Sequence, residues 1–347
     1  MTAATPGTDP GAPSAGPVTT DPGHVRPAAV LVFVVLACGL AWLVALPLWL
    51  GDGLATPGAA ALLPVMMLTP AIAALITTFA MGWPARGSRL RVLGLWPLRP
   101  AKRVVWMMVV GWLGPIVLVA ASIAIAAALG FVRLDFGFAA FADQLARALP
   151  PGAPVPAVQV VVIAQLVAIP FGALFNAVIA LGEELGWRGW LLPALRPLGT
   201  WPALILSGLL WGLWHSPIIL LGYNFGRTDI TGVLLMTTGC VAWGVLFGWL
   251  RLRSASVWPA ALAHGALNAS AALVLILAAT TPDMALAGPL GVVGWIVCAV
   301  VIVVLAVTGQ FRRQPSLAPS RPRADRPAPA ASASDPSQPD GSDAPRP

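Results

Sequence analysis

Residues 28–50 read AAVLVFVVLACGLAWLVALPLWL, an apolar run without a single Asp, Glu, Lys or Arg. About 20 such residues suffice for an α-helix to cross the hydrocarbon core of a bilayer. The run is too long for a signal-peptide core, and the segment before it carries almost no charge, so we interpret it as an uncleaved span. This stretch predicts that the chain lies in a membrane.

The rest of the chain repeats the same pattern. Hydrophobic residues make up 58% of the whole chain and charged residues only 10%, whereas a soluble domain carries about 25% charged residues. The sequence therefore predicts an all-α, polytopic membrane helical bundle of about eight transmembrane helices with disordered cytoplasmic tails. We place the spans near residues 28–50, 58–82, 104–130, 158–195, 202–221, 230–250, 256–279 and 288–308.

Three regions follow from this assignment. Residues 1–26 and 312–347 are rich in Pro, Ala, Gly, Ser and Asp, so they cannot bury enough apolar surface to order themselves. Residues 27–311 form the transmembrane domain. Its fourth apolar run is too long for one crossing and contains Pro170, which can kink or start a helix; we expect the crossing to run from about Phe171 to Leu195.

Basic residues are distributed unequally between alternate loops. With the N-terminus inside the cell, 16 Lys and Arg residues lie on the cytoplasmic side and three on the other, Arg133, Arg147 and Arg227. Cytoplasmic loops carry this excess in membrane proteins. We therefore expect a multi-pass plasma-membrane protein with both termini cytoplasmic. The net charge of +7 does not indicate nucleic-acid binding, because the basic residues form no stripe on one face.

Five ionisable residues are predicted to lie inside spans, and they include the only two glutamates of the sequence: Glu183, Glu184, Arg188, His215 and His264. A charged side chain at the bilayer centre costs about 2.5–3.5 kcal/mol on insertion scales. A chain this apolar is expected to carry such groups only where it uses them. Each is by default a functional-site hypothesis.

The spacing of these residues brings some of them together. Glu184 and Arg188 are separated by four positions, which places them on one helix face in the favourable order. Arg188 can then neutralise Glu184, and Glu183 is left as the freer carboxylate. Trp211 and His215 have the same spacing.

Depth in the membrane adds a second relation. Glu183 and His215 are equally distant from Gly199 in the turn that joins their helices, so an antiparallel hairpin places them at one level. His264 and Asn268 lie on one face of a later helix, and a tilt of the helices would bring them within reach of Glu183 and His215. We therefore predict one polar cluster.

Each residue also has a structural interpretation. The Glu184–Arg188 pair alone is an ordinary structural ion pair. A single histidine in a span is often a satisfied polar group, and Asn268 alone would be a hydrogen-bonding contact between helices. The convergence of several such residues at one level favours a functional site.

Three motifs resemble those of the CPBP intramembrane protease family, also called Abi or CAAX-protease-like: Glu183-Glu184-x-x-x-Arg188, Trp211-x-x-x-His215 and His264-x-x-x-Asn268. The family includes the CAAX prenyl endopeptidases and bacteriocin self-immunity proteins. The resemblance covers about residues 170–275. Trp211 stands where the family usually has Phe.

The resemblance implies an eight-helix fold, a cavity open to the cytoplasmic side and peptide-bond hydrolysis within the membrane. The substrate would be a membrane-embedded or lipid-anchored peptide or protein. By resemblance, Glu183 and His215 hold and activate water, while His264 and Asn268 donate to the oxyanion. The other motif residues would support the site: Glu184, Arg188 and Trp211.

A metal mechanism is the rival. Glu183, His215 and His264 could supply the three protein ligands of a catalytic zinc site. The sequence contains no His-Glu-x-x-His motif, and a metal bound by Glu183 would leave no clear base. We therefore favour a metal-independent, glutamate-based mechanism with zinc as the alternative.

Two other classes of function compete with the protease. A transporter can also carry intramembrane Glu and His residues, but a carrier is expected to show paired broken helices in two halves. Here the polar residues lie in the C-terminal half only. The third class is a non-catalytic membrane protein of the bacteriocin-immunity type, which would have no need of the complete residue set.

Overall fold

The structure is a computed structural model that describes residues 24–150 and 152–314. These residues are predominantly α-helical, and the described chain contains no β-strand beyond an isolated bridge between Leu134 and Ala278. The all-α prediction is confirmed. The predicted disordered tails lie outside the described residues, except for their inner ends at 24–26 and 312–314.

Fifteen α-helices are numbered here in chain order. They are α1 Pro27–Leu50, α2 Ala59–Met67, α3 Thr69–Ala80, α4 Arg89–Val92, α5 Ala101–Ala128, α6 Ala139–Ala148, α7 Val158–Glu184, α8 Leu192–Leu195, α9 Thr200–Trp214, α10 Ser216–Ile219, α11 Ile230–Ser254, α12 Trp258–Ser270, α13 Leu273–Leu277, α14 Met284–Ala287 and α15 Val292–Val307. A π-helix, Leu185–Leu191, joins α7 to α8.

Seven helical segments among the described residues are long and apolar enough to cross a membrane: Pro27–Leu50, Ala59–Ala80, Ala101–Ala128, Val158–Leu198, Ile230–Ser254, Trp258–Leu277 and Met284–Val307. The chain is an integral, multi-pass membrane protein. The predicted span at 202–221 differs, because α9 has only 15 residues and is interrupted at His215 before α10. The eighth apolar helix is thus shorter than the about 20 residues of a full crossing.

The fourth span also differs from the prediction. Val158–Leu198 is one continuous helical segment of 41 residues, and Pro170 lies inside α7 instead of starting a new helix. A proline inside a helix removes one backbone hydrogen-bond donor. Transmembrane helices tolerate this loss, because neighbouring helices and side chains can satisfy the carbonyl group that it leaves without a partner. The helix therefore starts well before Phe171.

Close contacts between helix backbones position the helices that carry the polar residues of the cluster. Helix α12 packs along α7 and α5, and α11 packs along α9. Glycines lie at several helix contacts: a Cβ atom at Gly182 of α7 would come within 2.8 Å of the carbonyl oxygen of Met67 at the end of α2, and one at Gly208 of α9 within 2.7 Å of the Cα atom of Val241 in α11. Small residues at helix interfaces permit this spacing in membranes.

The two ends of the bundle are defined by contacts between loops. At one end, called here the arginine end, the Val257 amide donates to the Gly94 carbonyl at 3.0 Å, and Arg253 donates to the Arg313 carbonyl. At the opposite end, Arg227 pairs with Asp283 at 3.4 Å. The described connecting segments at that end are residues 51–58, 129–150 with 152–157, 222–229 and 278–291.

Candidate active site

A cavity of about 370 Å³ lies inside the bundle between α2, α7, α9, α11 and α12. Its lining includes all four residues that the motifs predict as catalytic: Glu183, His215, His264 and Asn268. Glu183, His215 and His264 are buried in the protein. The predicted convergence of these residues, which come from three separate helical regions, is therefore present in the fold.

Glu183 lies in the last turn of α7. Its Oε2 atom accepts a hydrogen bond from the indole nitrogen of Trp211 at 2.6 Å. Its Oε1 atom has no hydrogen-bond partner among the described residues, so this oxygen is available to a molecule in the cavity. The expectation that Glu183 is the freer of the two carboxylates agrees with this arrangement.

His215 follows α9, where the helix is interrupted. Its Nδ1 atom lies 2.9 Å from the carbonyl oxygen of Trp211. A carbonyl oxygen only accepts, so Nδ1 carries the proton and the neutral ring keeps its lone pair on Nε2. Trp211 thus contacts both cavity residues, through its indole N–H to Glu183 and through its carbonyl to His215.

Glu184 is fully buried. Its Oε1 atom accepts from Arg188 Nη1 at 2.9 Å and lies 2.9 Å from His264 Nδ1. The Arg188 guanidinium also lies over the Trp211 ring, 4.4 Å from its centroid. The predicted Glu184–Arg188 pair is present, but the sequence did not indicate that His264 shares the same carboxylate oxygen.

Asn268 lies one turn beyond His264 on α12, at the cavity wall. Its side chain is exposed and forms no hydrogen bond to any described residue. An asparagine that joins two helices would make such a bond. Its free amide is therefore available to a molecule in the cavity, as is the second ring nitrogen of His264.

The π-helix directly after Glu184 was not predicted. Widened helical turns of this kind occur frequently at functional sites. The carbonyl of Arg188, inside this π-helix, accepts a hydrogen bond from Arg251 Nε at 3.0 Å, and Arg251 Nη2 donates to the Val92 carbonyl at 2.6 Å. The sequence had placed Arg251 and Arg196 among the loop charges, but both side chains are buried.

Several cavity residues escaped the sequence analysis. Asn176, Tyr223 and Asn224 add polar groups to the wall. Tyr223, the only tyrosine of the chain, follows α10, and burial raises the pKa of its phenol, so the hydroxyl stays a donor at neutral pH. Tyr223 and Asn224 come from the loop after α10, so no helical spacing marks them, whereas Asn176 lies two turns before Glu183 on α7 and could have been found from that spacing.

The residues do not form a ready metal centre. Among residues 24–150 and 152–314, no three His, Cys, Asp or Glu side chains are grouped so that they could hold a metal ion. Glu183, His215 and His264 line the same cavity, but Glu183 is bonded to Trp211 and His264 to Glu184. These contacts use Oε2 of Glu183 and Nδ1 of His264 and leave Oε1 and Nε2 without a partner among the described residues, so they do not decide between the two mechanisms.

The site segment was compared with known proteins. Residues 163–270 match the Rce1-like family, described as type II CAAX prenyl endopeptidase Rce1-like. CAAX prenyl protease 2 of Methanococcus maripaludis is 30% identical over 100 residues, which cover 27% of this chain and 37% of that protein. The chain thus matches little more than a third of this curated relative. All the motif residues from Glu183 to Asn268 lie inside the segment that matches the family.

Proposed function

We propose that this chain, whose residues 163–270 match the Rce1-like family of type II CAAX prenyl endopeptidases, is an intramembrane endopeptidase. It would hydrolyse a peptide bond of a membrane-associated substrate. The observation that carries the proposal is the shared cavity of Glu183, His215, His264 and Asn268. One carboxylate, one acceptor nitrogen and two further polar side chains face one space there, and amide hydrolysis needs this combination of groups.

Glu183 and His215 activate the water molecule that attacks the peptide bond. The free Oε1 of Glu183 accepts a proton from a water molecule. Nε2 of His215 accepts a hydrogen bond from the other hydrogen of the same water molecule. The Trp211 N–H holds the carboxylate, and the Trp211 carbonyl holds the imidazole. The water oxygen then attacks the carbonyl carbon of the scissile bond.

The developing oxyanion is stabilised by His264 and Asn268. Because Nδ1 of His264 faces Glu184, the ring donates from Nε2 only as an imidazolium. Glu184 stabilises that cation, and Arg188 supplies the second positive charge. The net charge of the site is then zero, because the two carboxylates balance the guanidinium and the imidazolium. This balance lowers the free-energy cost of burying the four groups.

Collapse of the tetrahedral intermediate completes the reaction. The proton that Glu183 took from water passes to the leaving amine, and the C–N bond breaks. The products are a new carboxylate and a new amine, and Glu183 returns to its ionised form. No oxidant, reductant or cofactor enters this balance.

The substrate class follows from the relatives. The Methanococcus maripaludis protein is a CAAX prenyl protease, so a lipid-anchored or membrane-embedded peptide is the first candidate here. The surrounding lipid bilayer is the other partner. A plasma-membrane location with both termini in the cytoplasm belongs to the same proposal.

The test is cleavage of a prenylated CAAX peptide and of its unprenylated counterpart by purified protein in liposomes. Glu183→Gln keeps the size of the side chain but makes a poor base, so we expect it to abolish hydrolysis and leave thermal stability unchanged. Asp143→Asn, an exposed carboxylate on α6, is the matched control and should cleave like the wild type. Wild-type turnover by Glu183→Gln would refute the assignment of the base.

Metal dependence is tested on the same preparation. In the glutamate-based mechanism, chelators leave the rate unchanged and metal analysis finds well below one equivalent per chain. Stoichiometric zinc, with activity lost on chelation and restored by zinc, would reverse the choice of mechanism. Uptake of a solute without peptide cleavage would indicate the transporter instead.

A further inference from the structure

A second cavity lies behind the candidate active site, between α5, α11 and α15, and we call it the apolar groove. Its volume is about 490 Å³, and its lining consists of apolar and aromatic residues. It shares no lining residue with the cavity of Glu183. Phe247 separates the two spaces, since it lines the groove while its ring stacks on His264 with centroids 5.7 Å apart. The groove is therefore a distinct site that borders the polar cluster.

The length of the apolar groove matches one leaflet of a bilayer. Its α5 residues extend from Trp106 to Leu118, a distance of about 18 Å at the rise of an α-helix. The hydrocarbon core of a bilayer is about 30 Å thick, so one leaflet contributes about 15 Å. Trp106, Leu113 and Val117 are exposed, so the groove is open along α5 to the surrounding hydrocarbon. One acyl chain fits its length and its chemistry.

Arginines lie beyond the groove at the arginine end. Arg103 lies one turn before Trp106 on α5, and Arg253 lies one turn beyond Trp249 on α11. Arg253 donates a hydrogen bond to the backbone carbonyl of Arg313. Its guanidinium is close enough to Arg103 and Arg313 to be repelled by both. Three like charges therefore converge where the groove ends.

No acidic side chain of the described chain neutralises this arginine cluster. None of the three arginines forms an ion pair within residues 24–150 and 152–314. The described aspartates all lie in the connecting segments at the opposite end. Two buried donors beside the cluster, Arg253 Nε and Trp249 Nε1, also form no hydrogen bond to a described residue. A buried donor without an acceptor costs free energy, so this end of the groove favours a ligand that carries negative charge and acceptor atoms.

We propose that the apolar groove binds one anionic phospholipid, with its phosphate on Arg103, Arg253 and Arg313 and one acyl chain between α5, α11 and α15. Basic pockets between transmembrane helices bind anionic headgroups, and phosphate oxygens accept strong hydrogen bonds from guanidinium groups. Trp106 and Trp249 lie between the two parts of the site, as tryptophans do at the level of the headgroups. The lipid supplies the charge, the acceptors and the hydrocarbon that the protein leaves without a partner.

The test is native mass spectrometry of the full chain in detergent with added phosphatidylglycerol or phosphatidylcholine of identical acyl chains. We expect one phosphatidylglycerol per chain, bound at least tenfold more tightly than phosphatidylcholine. Arg103→Gln combined with Arg253→Gln should weaken this binding at least tenfold. The charge-matched control combines Arg133→Gln with Arg147→Gln, two exposed positions at the opposite end, and should bind like the wild type.

A second variant tests the acyl-chain part of the site. Gly114 lines the groove, and a Cβ atom added there meets no neighbouring atom within 4 Å. Gly114→Leu therefore fills the groove without displacing a neighbour. It should weaken phosphatidylglycerol binding at least tenfold at unchanged thermal stability. Gly39→Leu, at an equally open position of α1, should bind the lipid like the wild type.

Three results would overturn the proposal. Equal binding of the two phospholipids would mean that the arginines select no headgroup. Wild-type binding by the double arginine variant or by Gly114→Leu would place the lipid elsewhere. Displacement of phosphatidylglycerol by a prenylated peptide would assign the groove to the lipid anchor of a substrate. None of these measurements requires peptide cleavage, so they decide lipid binding even if the proposed function fails.

Discussion

Trp211 connects the two residues that are proposed to activate water. Its indole N–H donates to Glu183 at 2.6 Å and its carbonyl accepts from His215 at 2.9 Å, so one residue orients both groups. The phenylalanine that the family usually carries here would keep the carbonyl contact and lose the indole donor. Trp in place of Phe at position 211 therefore adds a hydrogen-bond donor to the site as well as a larger ring.

Trp211→Phe is expected to lower kcat and to leave KM close to the wild-type value. A hydrogen bond to a charged group is worth about 1.5–3 kcal/mol, so the loss should not exceed about 100-fold. Trp201→Phe, a partly exposed ring on α9, is the control. Steady-state kinetics on both variants give the answer, and an unchanged kcat for Trp211→Phe would assign the bond a structural role only.

Asn268 offers the sharpest test of the oxyanion donors. Such a donor acts in the transition state, so Asn268→Ala should lower kcat with little change in KM. One oxyanion donor is typically worth about 10²–10³ in rate, which makes this variant milder than Glu183→Gln. Asn268→Asp places a carboxylate near developing negative charge and should be at least as harmful.

Two results would contradict this role for Asn268. The first is full activity of the Asp variant, and the second is an effect of the Ala variant on KM alone. The side chain makes no bond to another described residue, so loss of helix packing does not explain a fall in kcat.

At the scale of helices, close packing next to the glutamates is the critical feature. Gly182 precedes Glu183, and a Cβ atom there would lie 2.8 Å from both the Met67 carbonyl oxygen and Leu68 Cδ2. The backbone of the α2–α3 junction and that of α7 cannot both keep their positions if this atom is added. Overpacking of this kind typically costs about 1–3 kcal/mol.

Gly182→Ala should therefore lower both thermal stability in detergent and kcat, because α7 moves away from α3 and carries Glu183 with it. Gly39→Ala is the matched control, since Gly39 lies within α1 and nothing stands within 4 Å of its added Cβ atom. That variant should be as stable as the wild type or slightly more stable, because alanine favours the helix. Equal effects of the two substitutions would show that the close contact is unimportant.

Over the whole molecule, the orientation in the membrane follows from charge. The predicted cytoplasmic side keeps its excess of exposed basic residues even with Arg196 and Arg251 buried. A fluorescent reporter that folds only in the cytoplasm should therefore fluoresce when fused after Gln314. The same reporter fused after Gly226, in a loop of the opposite end, should not. The reverse pattern would contradict the predicted topology.

The sequence by itself determined the class of protein and the chemistry-bearing residues. Hydropathy depends on local composition, so the apolar runs identified the seven long spans of the described residues, and the four-residue spacing of Glu184 and Arg188 placed that pair correctly. The equal distance of Glu183 and His215 from Gly199 also predicted that they would face the same space. The match of residues 163–270 to the Rce1-like family agrees with the resemblance that the motifs had indicated.

Only the tertiary structure decided how these residues are hydrogen-bonded and which loop residues line the cavity with them. The bond of Trp211 to Glu183 spans 28 positions, and the contact of His264 with Glu184 spans 80. No periodicity encodes such distances, because they depend on how separate helices cross. The buried contacts of Arg251 with the carbonyls of Arg188 and Val92 have the same origin, because they join segments that are distant in the sequence.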